Sequence, residues 1–215
     1  MWPFSRRSAQ SGVTVADDVF WLQDSARVGG VIAAASQALQ SGSHVLVVTH
    51  IPRRVEHMAD AATRAGLALD GIPSPMTAVE LSGRMRAQPA PCIFLTLASM
   101  LSPSLHRTES QRPQNVIVLV ADRYPLRTQD DAIVSFAESL HAAQIVFHSC
   151  IKDPLFAVFR GDQTEKILRA MGMKDNDPLS HPMLARSVRR AQEKLAKRCR
   201  DHAQVESWLA SQTHQ

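Results

Sequence analysis

Between Gly83 and Gly161 the chain contains no glycine, and between Arg127 and Arg160 no arginine. Backbone amides crowd a phosphate closely only where glycine holds the tight positions, so this stretch excludes a glycine-rich phosphate cradle. The pattern Gly-x-x-x-x-Gly-Lys-Ser/Thr is missing from all 215 residues, which removes the usual grip on a nucleoside triphosphate. Gly29-Gly30 is followed by Val31 and Ile32, with no lysine to neutralise phosphate charge. Gly-x-Ser-x-Gly is absent too, and with it the nucleophile elbow of a serine hydrolase. Cysteine is sparse: Cys92, Cys150 and Cys199 are odd in number and far apart, and read as buried reduced thiols. His148 with Cys150 and Cys199 with His202 lie close in sequence, but neither pair extends to the four-ligand spacing of a structural zinc. No cofactor or metal is expected. Long apolar runs are lacking as well, so no segment is read as spanning a bilayer. The opening Met1 to Arg7 has two basic residues but no apolar signal core after them, and a cytoplasmic protein is expected. Trp2 and Phe4 beside Arg6 and Arg7 leave two readings of this tail, a frayed segment or a contact with the anionic surface of the inner membrane.

What is present is an alternation of short β-branched runs and helical patterns. Hydrophobic residues make up 45% of the chain and aromatics only 5%, a globular composition with much of its apolar share in alanine. His44 to Thr49 is nearly continuous in apolar and β-branched residues, as a strand buried on both faces requires. It is preceded by a short strand, Asp18 to Leu22, and an alanine-rich helix, Ala26 to Gln40, closed by Ser41-Gly42. A helix from Arg53 to Ala65 follows, then a short helix from Thr77 to Ala87 bracketed by prolines. Strands are expected at Cys92 to Leu97, Val116 to Val120 and Ile145 to His148, with a helix from Thr128 to His141 between the last two. Parallel strands need crossover connections, so this order predicts a three-layer α/β domain with a mostly parallel sheet. Beyond Asp153 the pattern is all helical: one element from Asp162 to Met171, then a long amphipathic segment from Pro182 to Ala210 capped by Ser180. The expected organisation is a flexible tail over residues 1–15, an α/β domain over 16–160 and a helical extension over 161–215.

The formal charge of +4 is uneven. Arg186, Arg189, Arg190, Lys194, Lys197 and Arg198 crowd one segment, opposed mainly by Glu193 and Asp201. Such a cluster is either a solvated helix face or a surface for an acidic partner. Nucleic acid is disfavoured as that partner, because interleaved aromatics and glycine loops are missing from the segment. Asp122 follows a strand, where a magnesium ligand sits in phosphate-loop enzymes; without that loop it reads as a loop carboxylate. Asp130 and Asp131 read as acids complementing a helix N-terminus.

Lys152-Asp153-Pro154-Leu155, Phe159-Arg160-Gly161, Gly172-Met173-Lys174, His181-Pro182-Met183-Leu184 and Ala191-Gln192-Glu193-Lys194 together carry a resemblance. The block resembles the stretch of the SecA preprotein translocase motor that leaves its second nucleotide-binding domain and enters the long scaffold helix. Weaker matches extend the likeness back to Asp18, through Thr49 at a strand end and Glu56 on the helix after it. The resemblance implies a RecA-like domain of the helicase C-terminal type, followed by the start of a long scaffold helix. In that family the second domain supplies glycine-rich and arginine-bearing loops that close over ATP held by the first. Thr96-Leu97-Ala98-Ser99 and Phe136 to Leu140 stand where those loops belong, so no catalytic residue is carried over. The family's cysteine-rich zinc tail is absent as well. The expectation is a stand-alone, degenerate SecA-like domain that has lost ATP chemistry and binds protein: a translocase component, an exported protein or its own copies. The alternative is one subunit of a split ATPase whose partner brings the phosphate loop, in which Arg123, Arg127 or Lys152 would replace the missing finger arginines. A weaker alternative is a nucleic-acid accessory protein that uses the basic helix.

Overall fold

The computed structural model describes residues 13–103, 115–157 and 161–212. Its frame is a parallel sheet of β1 (Thr14–Val15), β2 (Val19–Trp21), β3 (His44–Thr49), β4 (Leu69–Gly71), β6 (Ile93–Leu97), β8 (Val116–Val120) and β9 (Gln144–Cys150). In space the order runs β1-β9-β8-β3-β6-β4, and β2 continues along β9 beyond β1. Every strand pair in it is parallel; Leu46 of β3, for example, sits between Phe94 of β6 and Val118 of β8. β5 (Met76–Thr77) and β7 (Leu101–Ser102) form a separate small parallel pair. The three-layer α/β architecture expected of a RecA-like domain is present.

Alternation along the strands assigns the layers. Leu46, Val48, Phe94, Val118, Val120 and Phe147 point to one face and pack with α3 (Ala78–Arg86) and α4 (Arg127–Ser139). Val45, Val47, Ile93, Leu95 and Leu119 point to the other, under α1 (Asp24–Gln40) and α2 (Pro52–Arg64). Burial on both sides is why the central strands read as continuous apolar runs. The proline-bracketed helix begins with a capping box, in which Thr77 and Glu80 satisfy each other's backbone donors.

Gly30 lies in the middle of α1, where an added Cβ would stand 2.1 Å from the Trp21 ring. The glycine therefore lets an indole lie against the helix. Trp21 donates from Nε1 to Nδ1 of His148 at 3.2 Å and stacks on its ring.

The C-terminal helices do not stand apart from the α/β body. After the short α5 (Pro154–Ala157) come α6 (Gly161–Ala170), α7 (Pro182–Ala196) and α8 (His202–Gln212). Phe20, Leu22 and Ile151 from the sheet share one core cluster with Leu184, Val188, Ala191 and Leu195 of α7. The sequence motifs in this region have local structural causes. Gly172 takes φ +90° after α6 and lets Met173 donate back to the carbonyl of Leu168, ending the helix. Two expectations are corrected here. His181, not Ser180, caps α7, its Nδ1 accepting from the Met183 amide at 3.2 Å ahead of Pro182. The segment from Pro182 to Ala210 is not one long helix but two. It breaks after Ala196; the Cys199 amide still donates to the Leu195 carbonyl at 2.7 Å, and Asp201 caps the new helix by accepting from the Gln204 amide at 2.9 Å. The corner brings Val205 down onto Tyr124, Leu126 and Cys199, apolar contacts that a straight rod would forgo.

Candidate functional site

The buried arginines and aspartates collect around the edge where the parallel strands have their carboxyl ends, the usual place for ligand chemistry in open α/β sheets. Thr49 closes β3 and donates its hydroxyl to Asp122, which lies just past β8. Asp122 also accepts from the His50 amide at 2.8 Å and from Arg54 at 2.6 Å. Arg54 reaches on to Asp24 at 3.1 Å. Arg27, in the buried stripe of α1, joins Asp24 to Asp153, the latter at 2.6 Å, and Asp153 also accepts from the Cys150 amide at 2.9 Å.

A second group adjoins the first through His50, whose Nε2 lies 3.5 Å from Asp130. Asp130 accepts from Arg123 at 3.1 Å, from the Tyr124 amide at 3.0 Å and from Gln192 of α7 at 2.7 Å. Arg123 also donates to Asp18 at 2.5 Å, and its guanidinium lies 3.5 Å from the centre of the Phe147 ring. The Tyr124 hydroxyl meets Nδ1 of His202 at the start of α8. Strands, α1, α2, α4, α7 and α8 are thus joined by one polar assembly.

Charge decides what this assembly can hold. Arg27, Arg54 and Arg123 stand against Asp18, Asp24, Asp122, Asp130 and Asp153, so three positive charges face five negative ones. Each arginine is committed to two carboxylates. Burial pushes the Asp122 carboxyl up, yet Arg54, His50 and the Thr49 hydroxyl outweigh it and hold the group below the ordinary carboxylate range. Asp24 is also depressed, burial being outweighed by Arg27 and Arg54. At Asp18 burial wins over Arg123 and the group titrates above its ordinary value. All three arginines of this assembly are thus paired with carboxylates of their own chain.

The sequence-derived candidates fall in different surroundings. Arg123 is in the assembly. Arg127 is exposed on α4, 3.5 Å from Asp131 one turn along. Lys152 is exposed and donates to Gln23 at 2.8 Å. Asp122 is a carboxylate of the loop after β8, as expected; it is also 2% exposed and accepts three hydrogen bonds, which makes it a buried structural acceptor. Asp130 and Asp131 part company, the first buried in the assembly and the second on the surface. Arg186, Arg189, Arg190, Lys194, Lys197 and Arg198 are all exposed along and just past α7, and among the described residues none of them forms an ion pair. Trp2, Phe4, Arg6 and Arg7 of the tail, and Arg160, lie outside the described residues.

Sequence reasoning missed Asp18, Asp24, Arg27, His50, Arg54 and Gln192 as members of one site. Two of them carry a signal. Arg27 stands in line with Val31, Ala35 and Ala38 on the apolar stripe of α1, and Gln192 sits among Leu184, Val188 and Leu195 on the apolar stripe of α7. A polar side chain on a buried helix face needs a partner.

No protein-family model matches this chain. A 52-residue stretch is 36% identical to the protein translocase subunit SecA of Sorangium cellulosum, covering 24% of this chain and 5% of that protein. The SecA of Orientia tsutsugamushi is 38% identical over 52 residues, covering 24% of this chain and 6% of its own length. The match thus spans only a small part of the curated relatives. Similar solved structures include the C-terminal part of the Fun30 ATPase domain, with a TM-score of 0.44 and 10% identity over 80% of this chain and 54% of that one. Another is the C-terminal domain of a possible DNA helicase from Lactobacillus, with a TM-score of 0.38 and 11% identity over 66% of this chain and 74% of that one. This chain is an α/β protein with a local sequence similarity to SecA.

Proposed function

We propose that this chain is a non-catalytic, SecA-like module that acts by binding protein in a process linked to protein translocation. The local similarity to SecA supports the link. The observation that carries the non-catalytic reading is the commitment of Arg27, Arg54 and Arg123 to five aspartates gathered around the carboxyl edge of the sheet. A finger arginine must be free to meet charge as it develops on the transferring phosphoryl group. Arg123 would first have to leave Asp18 and Asp130, and breaking a buried pair costs about 3–5 kcal/mol. That cost also weighs against a split ATPase completed by this residue.

The test is direct. The 215-residue chain incubated with magnesium and ATP is expected to release phosphate no faster than buffer alone. Hydrolysis that follows the chain through successive purification steps and disappears in Arg123→Ala would overturn the proposal.

A further inference from the structure

The outer face of α7 is charged on a pattern that specifies a partner. Leu184, Val188, Ala191, Gln192 and Leu195 turn inward and are buried. Helical geometry then puts Arg186, Arg190 and Lys194 along the opposite side, about 6 Å of rise between successive cations, with Lys197 at the C-cap continuing the row about 4.5 Å on. Arg189 flanks this row and Arg198 follows it, and all six are exposed. Among the described residues none is neutralised by an ion pair, in contrast to the arginines at the sheet edge. Glu193 is the exception inside the row. It too is exposed, on the same side as Arg186, Arg189, Arg190 and Lys197.

We infer that this face docks an acidic helix of a protein partner, with carboxylates at i, i+4 spacing opposite the cations and one basic residue opposite Glu193. The inference rests on the reading of the chain as a protein-binding module and names the chemistry of what it binds. Three observations favour a helix over other polyanions. The spacing of the cations is that of one helix face and so matches carboxylates on another. A uniform polyanion such as nucleic acid gains nothing from Glu193, which repels each phosphate near it, whereas a protein can answer it with a cation. A bilayer surface would call for several large apolar side chains to insert; Leu184, Val188 and Leu195 of α7 are already buried against Phe20, Leu22 and Ile151, and Met183 is the one large apolar side chain the described residues of α7 leave exposed.

The experiment uses the full chain and two synthetic helical peptides. The first carries glutamates at i, i+4 and i+8 with a single lysine set to face Glu193; in the second that lysine is glutamate. Duplex DNA and phosphatidylglycerol vesicles serve as competing probes. The wild type is expected to bind the lysine-bearing peptide severalfold more tightly than the all-glutamate one and more tightly than DNA or vesicles. Glu193→Lys should invert the peptide order. Arg190→Glu with Lys194→Glu should weaken both peptides about tenfold, since each exposed pair contributes a modest share, while leaving the thermal melt unchanged. Tighter binding of the all-glutamate peptide by the wild type, tighter binding of DNA or vesicles, or no peptide binding would each overturn the inference. ATP turnover by the same preparation would instead overturn the module reading and leave the peptide order to be read on its own.

Discussion

The arginines at the carboxyl edge of the sheet and those on α7 share one side chain and have opposite fates. At the sheet edge Arg27 is 1% exposed, and it sits between Asp24 and Asp153 with its charge neutralised by partners in its own chain. On α7, Arg189 and Arg190 are exposed and keep their charge for the solvent or a partner. A buried cation without an acid is too costly to keep, so the buried arginines are met by five aspartates, of which Asp24 alone stays half exposed. An exposed cation carries no such demand. The difference teaches that counting arginines says little about anion binding; their occupancy decides it.

The sharpest way to break this comparison is to remove one acid from the dry side. Asp122→Ala takes the buried one of Arg54's two carboxylates, leaving it only the half-exposed Asp24, and leaves the Thr49 hydroxyl and His50 amide without their acceptor. A loss of about 3–5 kcal/mol is expected in urea denaturation; a loss under 1 kcal/mol would mean that the cluster is wet and its arginines are free. Gly30→Ala is next. Its Cβ would meet the buried Trp21 ring at 2.1 Å, and overpacking of that kind costs about 3 kcal/mol. Pairing it with Trp21→Phe, a smaller ring, should recover part of that loss if the indole is the cause.

His148 gives a smaller effect that depends on pH. Burial, with Arg27 nearby, lowers its folded pKa to about 3, while the unfolded chain titrates near the ordinary value of about 6.5. Between those values the unfolded state binds the extra proton, so stability falls as pH drops below about 6.5 and goes on falling to about 3. From pH 7 to pH 5 this amounts to about 2 kcal/mol. Subtracting the profile of His148→Gln, which keeps an acceptor for Trp21 but does not titrate, should isolate that slope; identical profiles would show that the imidazole is solvated. The smallest effect belongs to the wet side. Arg190→Glu with Lys194→Glu should shift stability by less than about 0.5 kcal/mol, as exposed substitutions do. A larger loss in the same denaturation curves would place these cations in the fold's own electrostatics.

Much of the frame was legible along the chain. The runs at His44–Thr49 and Val116–Val120 announce strands buried on both faces, and the intervening helices announce parallel crossovers. β4 was not legible, because Leu-Asp-Gly becomes a strand only by pairing with β6. The break after Ala196 was hidden too, since Lys, Arg and Cys are compatible with continuing a helix and only the burial of Val205 against Tyr124 rewards the turn. Of the site, Asp122, Arg123 and Asp130 were each singled out along the chain, but not as members of one assembly.

The sequence by itself determined the layered α/β frame, the absence of a phosphate loop and the two-sided character of α7, because each follows from residue type and from spacing within a few turns. Only the tertiary structure decided which charges are spent and which are free. Asp18 and Arg123 are 105 positions apart, and Arg27 and Asp153 are 126. Side chains so distant in sequence have no mutual pattern to read, and it is the parallel sheet, ending its strands at one edge, that makes them neighbours.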